Sequence, residues 1–387
     1  MPEIIAVITE YNPFHCGHKY QLDKIREDNP EAVIFAVMSG NIVQRGEFAF
    51  LDKYSRAEMA INSGVDGVFE IPYPYSGSTA ELFAYAGVKI AYELGAKTLY
   101  FGTESDDING LECIAKIIDS NEFDELYKTL GSKNLSYLVK REIVLSKMGY
   151  SMPKASNDIL AIEYIRQILK NNYDIKFRSI KRVGASYKDD SIGTIMSASG
   201  IRKAFYEKKE IFSIPNSAKV VFARENDAGR INNYVKTQDF LYHHALMSDP
   251  KEIEKSFDCP VGGGFFILDK AKKSKNSEEF FNSLVSKSFT KSRLKRVLLY
   301  SLLKVKSISK ETNLFTTLLA INENGREAIK QIKKKMPIIT KHSESLALSA
   351  RLKKLYDINK KADEIYEILL FNPNAPENAY KKRPIIK

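Results

Sequence analysis

Four short apolar runs punctuate the first hundred residues: 4–9 (Ile-Ile-Ala-Val-Ile-Thr), 32–38 (Ala-Val-Ile-Phe-Ala-Val-Met), 65–71 (Val-Asp-Gly-Val-Phe-Glu-Ile) and 97–102 (Lys-Thr-Leu-Tyr-Phe-Gly). These read as buried strands. The stretches between them, at about 17–27, 52–63 and 79–94, have helical spacing. The last begins at the cap-like Ser78-Thr79 and stops at Gly95. Alternation of this kind predicts an α/β fold with a doubly wound parallel sheet and ligands at the carboxyl ends of its strands. Residues 107–148 read as an inserted helical region, a helix runs from about 157 through 169, and 177–183 returns to strand. Beyond about 213 the pattern turns helical and lysine-rich, most clearly at 278–306, 325–335 and 344–370, with Gly262-Gly263-Gly264 as a turn.

Composition adds bounds to this picture. With 387 residues, 44% hydrophobic and 28% charged, the chain suits a globular protein of two or three domains. No apolar run approaches the ~20 residues that span a bilayer. Cys16, Cys113 and Cys259 are too few and too scattered for a disulfide framework or a Cys-x-x-Cys metal site, which points to a cytoplasmic protein with no membrane and no resident metal. The net charge of +11 is uneven, with −3 over residues 1–210 and +14 over 211–387. That asymmetry suggests a near-neutral catalytic part joined to a part that binds a polyanion.

Chemistry concentrates where the first strand ends, at Glu10-Tyr11-Asn12-Pro13-Phe14-His15-Cys16-Gly17-His18. A helix opening there presents unpaired N–H groups and its positive dipole end, and two imidazoles beside them can donate to a phosphate whose charge grows during reaction. A second anion pocket is expected at Ser197-Ala198-Ser199-Gly200-Ile201-Arg202, where two hydroxyls precede a helix start and an arginine in its first turn can chelate phosphate oxygens. The loop 38–47 borders the site, with Arg45 its residue of interest. Gly102 lets the backbone approach an adenine or ribose. Glu104 and Asp106 could hold Mg²⁺ through water, although an acidic helix start explains them better. Asn157 reads as a helix cap. Lys287, Lys291, Arg293 and Arg296 form a basic face on an otherwise apolar helix, a pattern suited to the RNA backbone. Lys333-Lys334-Lys335 and Lys381-Lys382-Arg383 add to that charge.

The histidine motif resembles the His-x-Gly-His signature of the nucleotidyltransferase superfamily, which implies a Rossmann-like sheet and transfer of nucleotidyl groups from nucleoside triphosphates. Over nearly the whole chain the pattern is similar to the bacterial tRNA(Met) cytidine acetate ligase family. The matching segments include Ser39-Gly40-Asn41-Ile42-Val43-Gln44-Arg45-Gly46, Phe69-Glu70-Ile71-Pro72, Phe101-Gly102-Thr103-Glu104, Asn157-Asp158-Ile159-Leu160 and Ile180-Lys181-Arg182-Val183-Gly184-Ala185. The Ser197–Arg202 segment, the Phe289-Thr290…Arg293…Arg296 helix, and Asn324-Gly325-Arg326-Glu327 with Pro337-Ile338-Ile339-Thr340 extend the match.

This resemblance implies an enzyme that forms acetyl-adenylate from ATP and acetate and acetylates N4 of the wobble cytidine (C34) of elongator tRNA(Met). It implies catalysis by His15, His18 and Arg202. ATP would lie along Val7-Ile8-Thr9-Glu10-Tyr11-Asn12-Pro13-Phe14-His15-Cys16-Gly17-His18-Lys19-Tyr20, with Gly102, Asn157, Arg182, Ser197 and Ser199 completing the site. Mg²⁺ would accompany ATP, and no obligate protein partner is implied. The expected organisation is a catalytic domain over 1–212, with its insertion at about 107–148, followed by a mainly helical tRNA-binding domain over 213–387. Two segments depart from the family pattern, Cys259–Phe266 and Lys188, where histidine is common. The competing readings are a nucleotidyltransferase for a small phosphorylated metabolite and a non-catalytic RNA-binding protein.

Overall fold

A computed structural model describes residues 2–131, 137–182, 188–189, 193–194, 196–285, 290–310, 313–332, 336–375 and 381–387. Its centre is five parallel strands: β1 (Ile4–Thr9), β2 (Val33–Ser39), β3 (Gly67–Ile71), β4 (Thr98–Thr103) and β5 (Lys176–Lys181). They lie in the order β3-β2-β1-β4-β5, so the direction of winding reverses between β1 and β4. In a doubly wound sheet that reversal opens a crevice beyond the carboxyl ends of the two strands. The expected α/β parallel-sheet class is the observed one.

Alternate residues of each strand feed two cores, as a side-chain period of two requires. Ile5 and Val7 of β1, with Ile34, Ala36 and Met38 of β2, pack under helices α1 (Cys16–Asp28) and α2 (Lys53–Asn62). Ala6, Phe35 and Val37 face the other way, under α3 (Ala80–Glu93) and α4 (Ser156–Lys170). Both faces of β2 are therefore covered and every residue in it is buried, which is why it reads as an unbroken apolar run.

The second half is not a helical body set apart from the sheet. Helices α5 (Ala198–Tyr206) and α6 (Asn216–Asp227) pack on the α1/α2 face through Ile201, Ala218 and Val221. Further on, β6 (Thr316–Ile321), buried throughout, pairs antiparallel with β3, and β7 (Ile338–Ile339) and β8 (Ile385–Ile386) pair with β6 to complete eight strands. An exposed β3 edge would offer a row of unpaired N–H and C=O groups, and β6 satisfies them. The expected boundary near 212 is thus not a boundary of the sheet. The helix expected over 278–306 is two described pieces, Ser277–Ser283 and α7 (Lys291–Leu302). Together with α8 (Ala350–Ile368), α7 builds a third core that takes in Ile42, Phe48 and Tyr73 from the first half. Among the described residues, no helix is long and apolar enough to cross a membrane.

One buried polar cluster ties α8 to the sheet. Lys53 Nζ donates to Glu70 Oε1 at 2.7 Å and to Asp363 Oδ2 at 2.8 Å, and all three residues are buried. Asn41 joins in, accepting from the Lys53 amide at 2.8 Å and donating to Asp363 at 2.9 Å. Removing the ammonium would leave Glu70 with only the Asn359 amide at 3.1 Å and Asp363 with Asn41 and a Lys360 ammonium at 3.5 Å, two buried carboxylates sharing one cation. Lys53→Met is expected to lower unfolding free energy by about 3–5 kcal/mol, read as a shifted urea midpoint. A change below about 1 kcal/mol would show that this cluster does not join the halves.

Candidate active site

The strand β1 ends where the chain must turn into α1, and His15 makes the turn as the N-cap, with extended backbone (φ −143°, ψ 172°). Its Nδ1 accepts from the Gly17 amide at 3.0 Å, and His18 Nδ1 reaches back to accept from the His15 amide at 3.2 Å. The pair is a capping box built from imidazoles instead of the usual hydroxyl and carboxylate. The rings stack with centroids 3.8 Å apart, and Tyr11 lies edge-on to His18 at 4.8 Å.

This reciprocal cap decides the protonation state. A ring nitrogen that accepts from a backbone N–H carries no proton, so in each neutral imidazole the proton sits on Nε2. Electrostatics points the same way. Burial, and then the Arg182 charge, push the His15 pKa down to about 3. Burial, followed by His15 and Arg182, holds His18 well below its ordinary value. Both rings are neutral Nε2–H donors at neutral pH, and both line a cleft of about 1270 Å³.

The surrounding elements fix the motif in place. Arg56, fully buried on α2, donates to the carbonyls of Glu10 (2.6 Å), Ser39 (3.1 Å) and Gly40 (2.5 Å), gathering the ends of β1 and β2. Asn12 accepts from the Phe50 amide at 2.7 Å, while its own carbonyl accepts from Arg202 Nη1 at 2.6 Å. Arg202 projects from α5, whose N-cap Ser197 accepts from Gly200 at 3.1 Å and lies 3.0 Å from Ser199 Oγ. The amides of Cys16 and Met196 bind the Ser213 carbonyl and hydroxyl at 2.8 and 2.7 Å. Two helix N-termini, α1 and α5, therefore open on one cleft with Arg202 between them, a site for more than one anionic group.

Across the switch point, Gly102, Glu104, Asn157 and Arg182 line the same cleft. A Cβ on Gly102 would stand 3.0 Å from Arg182 Cγ, so the glycine admits the arginine stem, where the sequence suggested room for a nucleotide. Asn157 is not a cap. The N-cap of α4 is Ala155, and Asn157 Nδ2 donates to Glu104 Oε1 at 2.5 Å. Glu104 also faces Arg182 Nε at 3.9 Å, and Asp107, not Glu104 or Asp106, caps the next helix. With Glu104 so engaged, the pair does not read as a metal site, and no group of three or more His, Cys, Asp or Glu side chains among the described residues could hold an ion.

The basic helix does not present the open cationic face that its sequence predicts. Lys287 lies outside the described residues. Lys291 starts α7, partly buried, with Nζ 3.3 Å from Asn282 Oδ1. Arg293 and Arg296 do not stand on an open face: both line the cleft and turn toward Asp258. Arg45, exposed at the cleft, lies 3.4 Å from Ser156 Oγ. Sequence reading missed Arg56, Asp258 and Asp158, the last of which accepts from the Glu104 amide at 2.8 Å. The available signal was a charged residue on an otherwise apolar helical face, as with Arg56 one turn before Ala60.

A family model described as HIGH Nucleotidyl Transferase matches residues 2–382. The tRNA(Met) cytidine acetate ligase of Thermosipho africanus is 35% identical over 88% of this chain and 85% of its own length. That of Caldicellulosiruptor saccharolyticus is 32% identical over 94% of this chain and 93% of its own. Among solved structures, Thermotoga maritima TmcAL bound with alpha-thio ATP superimposes with a TM-score of 0.91 at 29% identity, covering 99% of both chains.

The depressed histidine pKa values have a consequence for stability. The unfolded chain binds protons at these positions below about pH 6.5 and the folded chain does not, so stability is complete above that pH and falls as pH drops toward 3. Between pH 7 and 5, His15 is expected to contribute a loss of about 2 kcal/mol. His15→Asn keeps a cap acceptor and removes the titration. Its urea-unfolding free energy should fall less steeply over that window, and a slope equal to wild type would contradict a neutral, buried His15.

Proposed function

The chain belongs to the tRNA(Met) cytidine acetate ligase family of HIGH nucleotidyl transferases, and from that premise we propose that it couples acetate to tRNA(Met) through acetyl-adenylate. The observation that carries this reading is the pair of outward Nε2–H donors at the switch point, beside Arg202 at a second helix N-terminus. An acetate oxygen attacks the α-phosphorus of ATP, the bond to the β-phosphate oxygen breaks, and pyrophosphate leaves. Acetate and triphosphate are both anions, so their approach depends on the cationic and donor groups lining the cleft. His15, His18 and Arg202 stabilise the charge that builds on the phosphate oxygens. Neutral imidazoles suit this task, because they donate hydrogen bonds without trapping the product pyrophosphate as strongly as two imidazolium ions would.

In the second step cytidine N4 attacks the acetyl carbon, the carbon–oxygen bond to AMP breaks, and N4 loses a proton. The base must leave its stack to reach the cleft. Gly102, Asn157, Arg182, Ser197 and Ser199 hold the nucleotide in this reading, as does the Val7–Tyr20 segment. Mg²⁺ would arrive with ATP, held by phosphate oxygens and water, since the protein offers no dedicated ligand cluster among its described residues. Lys287, Lys291 and the remaining positive charge of the second half hold the tRNA backbone.

The test is mass spectrometry of tRNA(Met) incubated with the purified protein, ATP and acetate. The expected product is N4-acetylcytidine, absent when either small substrate is omitted. Unmodified tRNA under complete conditions would overturn the proposal. His18→Ala should slow acetate-dependent AMP release by about 10²–10³-fold with tRNA affinity unchanged, whereas a variant that retains wild-type turnover would remove the histidines from the chemistry.

A further inference from the structure

Helix α7 carries Arg293 and Arg296 one turn apart, facing a single carboxylate. Arg293 takes that partner, with Nε donating to the Asp258 carbonyl at 3.0 Å and Nη2 lying 2.9 Å from Oδ1. Arg296 is left 3.8 Å from Asp258 Oδ2, beyond hydrogen-bond reach. It is only 9% exposed, and its Nε has no hydrogen-bond partner among the described residues. A guanidinium stays charged at any physiological pH, so this end of the cleft holds a buried cation in excess of its carboxylate. Such a group is costly unless something else completes it.

The position of Arg296 is fixed against the active site. Gly46, at φ +73°, presses on its backbone: a Cβ there would lie 2.8 Å from the Arg296 amide nitrogen. The next residue, Glu47, pairs with Lys295 at 2.6 Å and feels the charges of Arg202 and Arg45. Arg296 thus abuts Gly46 beside Glu47, whose carboxylate lies in the field of Arg202, and Arg202 in turn donates to the Asn12 carbonyl of the histidine motif.

We propose that Arg296 receives the carboxylate of the acyl substrate, presenting acetate to the α-phosphorus held at the histidines. This rests on the acetyl-adenylate reading above. A guanidinium fork matches a carboxylate in a bidentate pair, which orients as well as binds. Phe257 and Ile308 line the same cleft and offer an apolar seat for the methyl group. A polynucleotide phosphate fits less well, because a side chain this buried is within reach of a two-carbon acid but not of a folded RNA backbone.

The test is a comparison of KM for acetate, KM for ATP and tRNA affinity in wild type, Arg296→Gln and Arg296→Lys. Arg296→Gln should raise the acetate KM by about 10-fold or more, leaving ATP KM and tRNA affinity within about twofold. Arg296→Lys keeps the charge and loses the fork, so it should fall between, and it serves if the glutamine variant fails to fold. An unchanged acetate KM in the lysine variant, or a loss confined to ATP or tRNA, would overturn the assignment. Failure of wild type to acetylate tRNA with acetate would instead overturn the reading on which it rests.

Discussion

Two hydrogen bonds from the backbone set the tautomer of the paired histidines that line the cleft. The amides of Gly17 and His15 need acceptors because they open a helix, and the acceptors they take are the Nδ1 atoms of His15 and His18. Once Nδ1 is occupied, each ring can carry its proton only on Nε2, and burial keeps the rings from gaining a second one. A structural need of the helix start therefore presets the tautomer that a phosphate would require. The neighbouring parts serve that arrangement: Arg56 fastens the strand ends, Asn12 is bound from both sides, and Arg202 adds the permanent charge that the neutral imidazoles lack.

The cleft is complete only because the two halves of the chain share a sheet. Strand β6 closes the β3 edge, and Lys53 joins Glu70 beside that edge to Asp363 on α8. Asn41, two residues beyond the buried part of β2, belongs to the same cluster. The loop that follows it is thereby held against α7, which delivers Arg293 and Arg296 to the wall of the cleft that the histidines also line. A freely hinged second domain would leave that wall without a defined position.

Much of this was legible in the sequence, for physical reasons that also explain what was not. Strands β1 and β2 are apolar on both faces because helices cover both, and a run of that kind has few other readings. The histidine motif was visible because chemistry demands adjacent residues at a helix start. Strand β6 was missed: Thr316–Ile321 is a short apolar run among lysine-rich helical segments, and periodicity alone does not separate such a strand from helix. Arg293 and Arg296 were read as an outward basic face because their partner, Asp258, lies 35 residues away from Arg293 and becomes a neighbour only on folding. Asn157 misleads similarly, since the cap it suggests in sequence gives way to a distant contact with Glu104, and Gly102 also makes room for the Arg182 stem.

Which nitrogen of each imidazole holds the proton is reported directly by 15N NMR of the histidine side chains. At pH 7 the account requires His15 and His18 both to show the neutral Nε2–H pattern, with their Nε2 resonances moving when a non-hydrolysable ATP analogue is added and Nδ1 nearly still. Protons on Nδ1, or rings indifferent to the nucleotide, would contradict it.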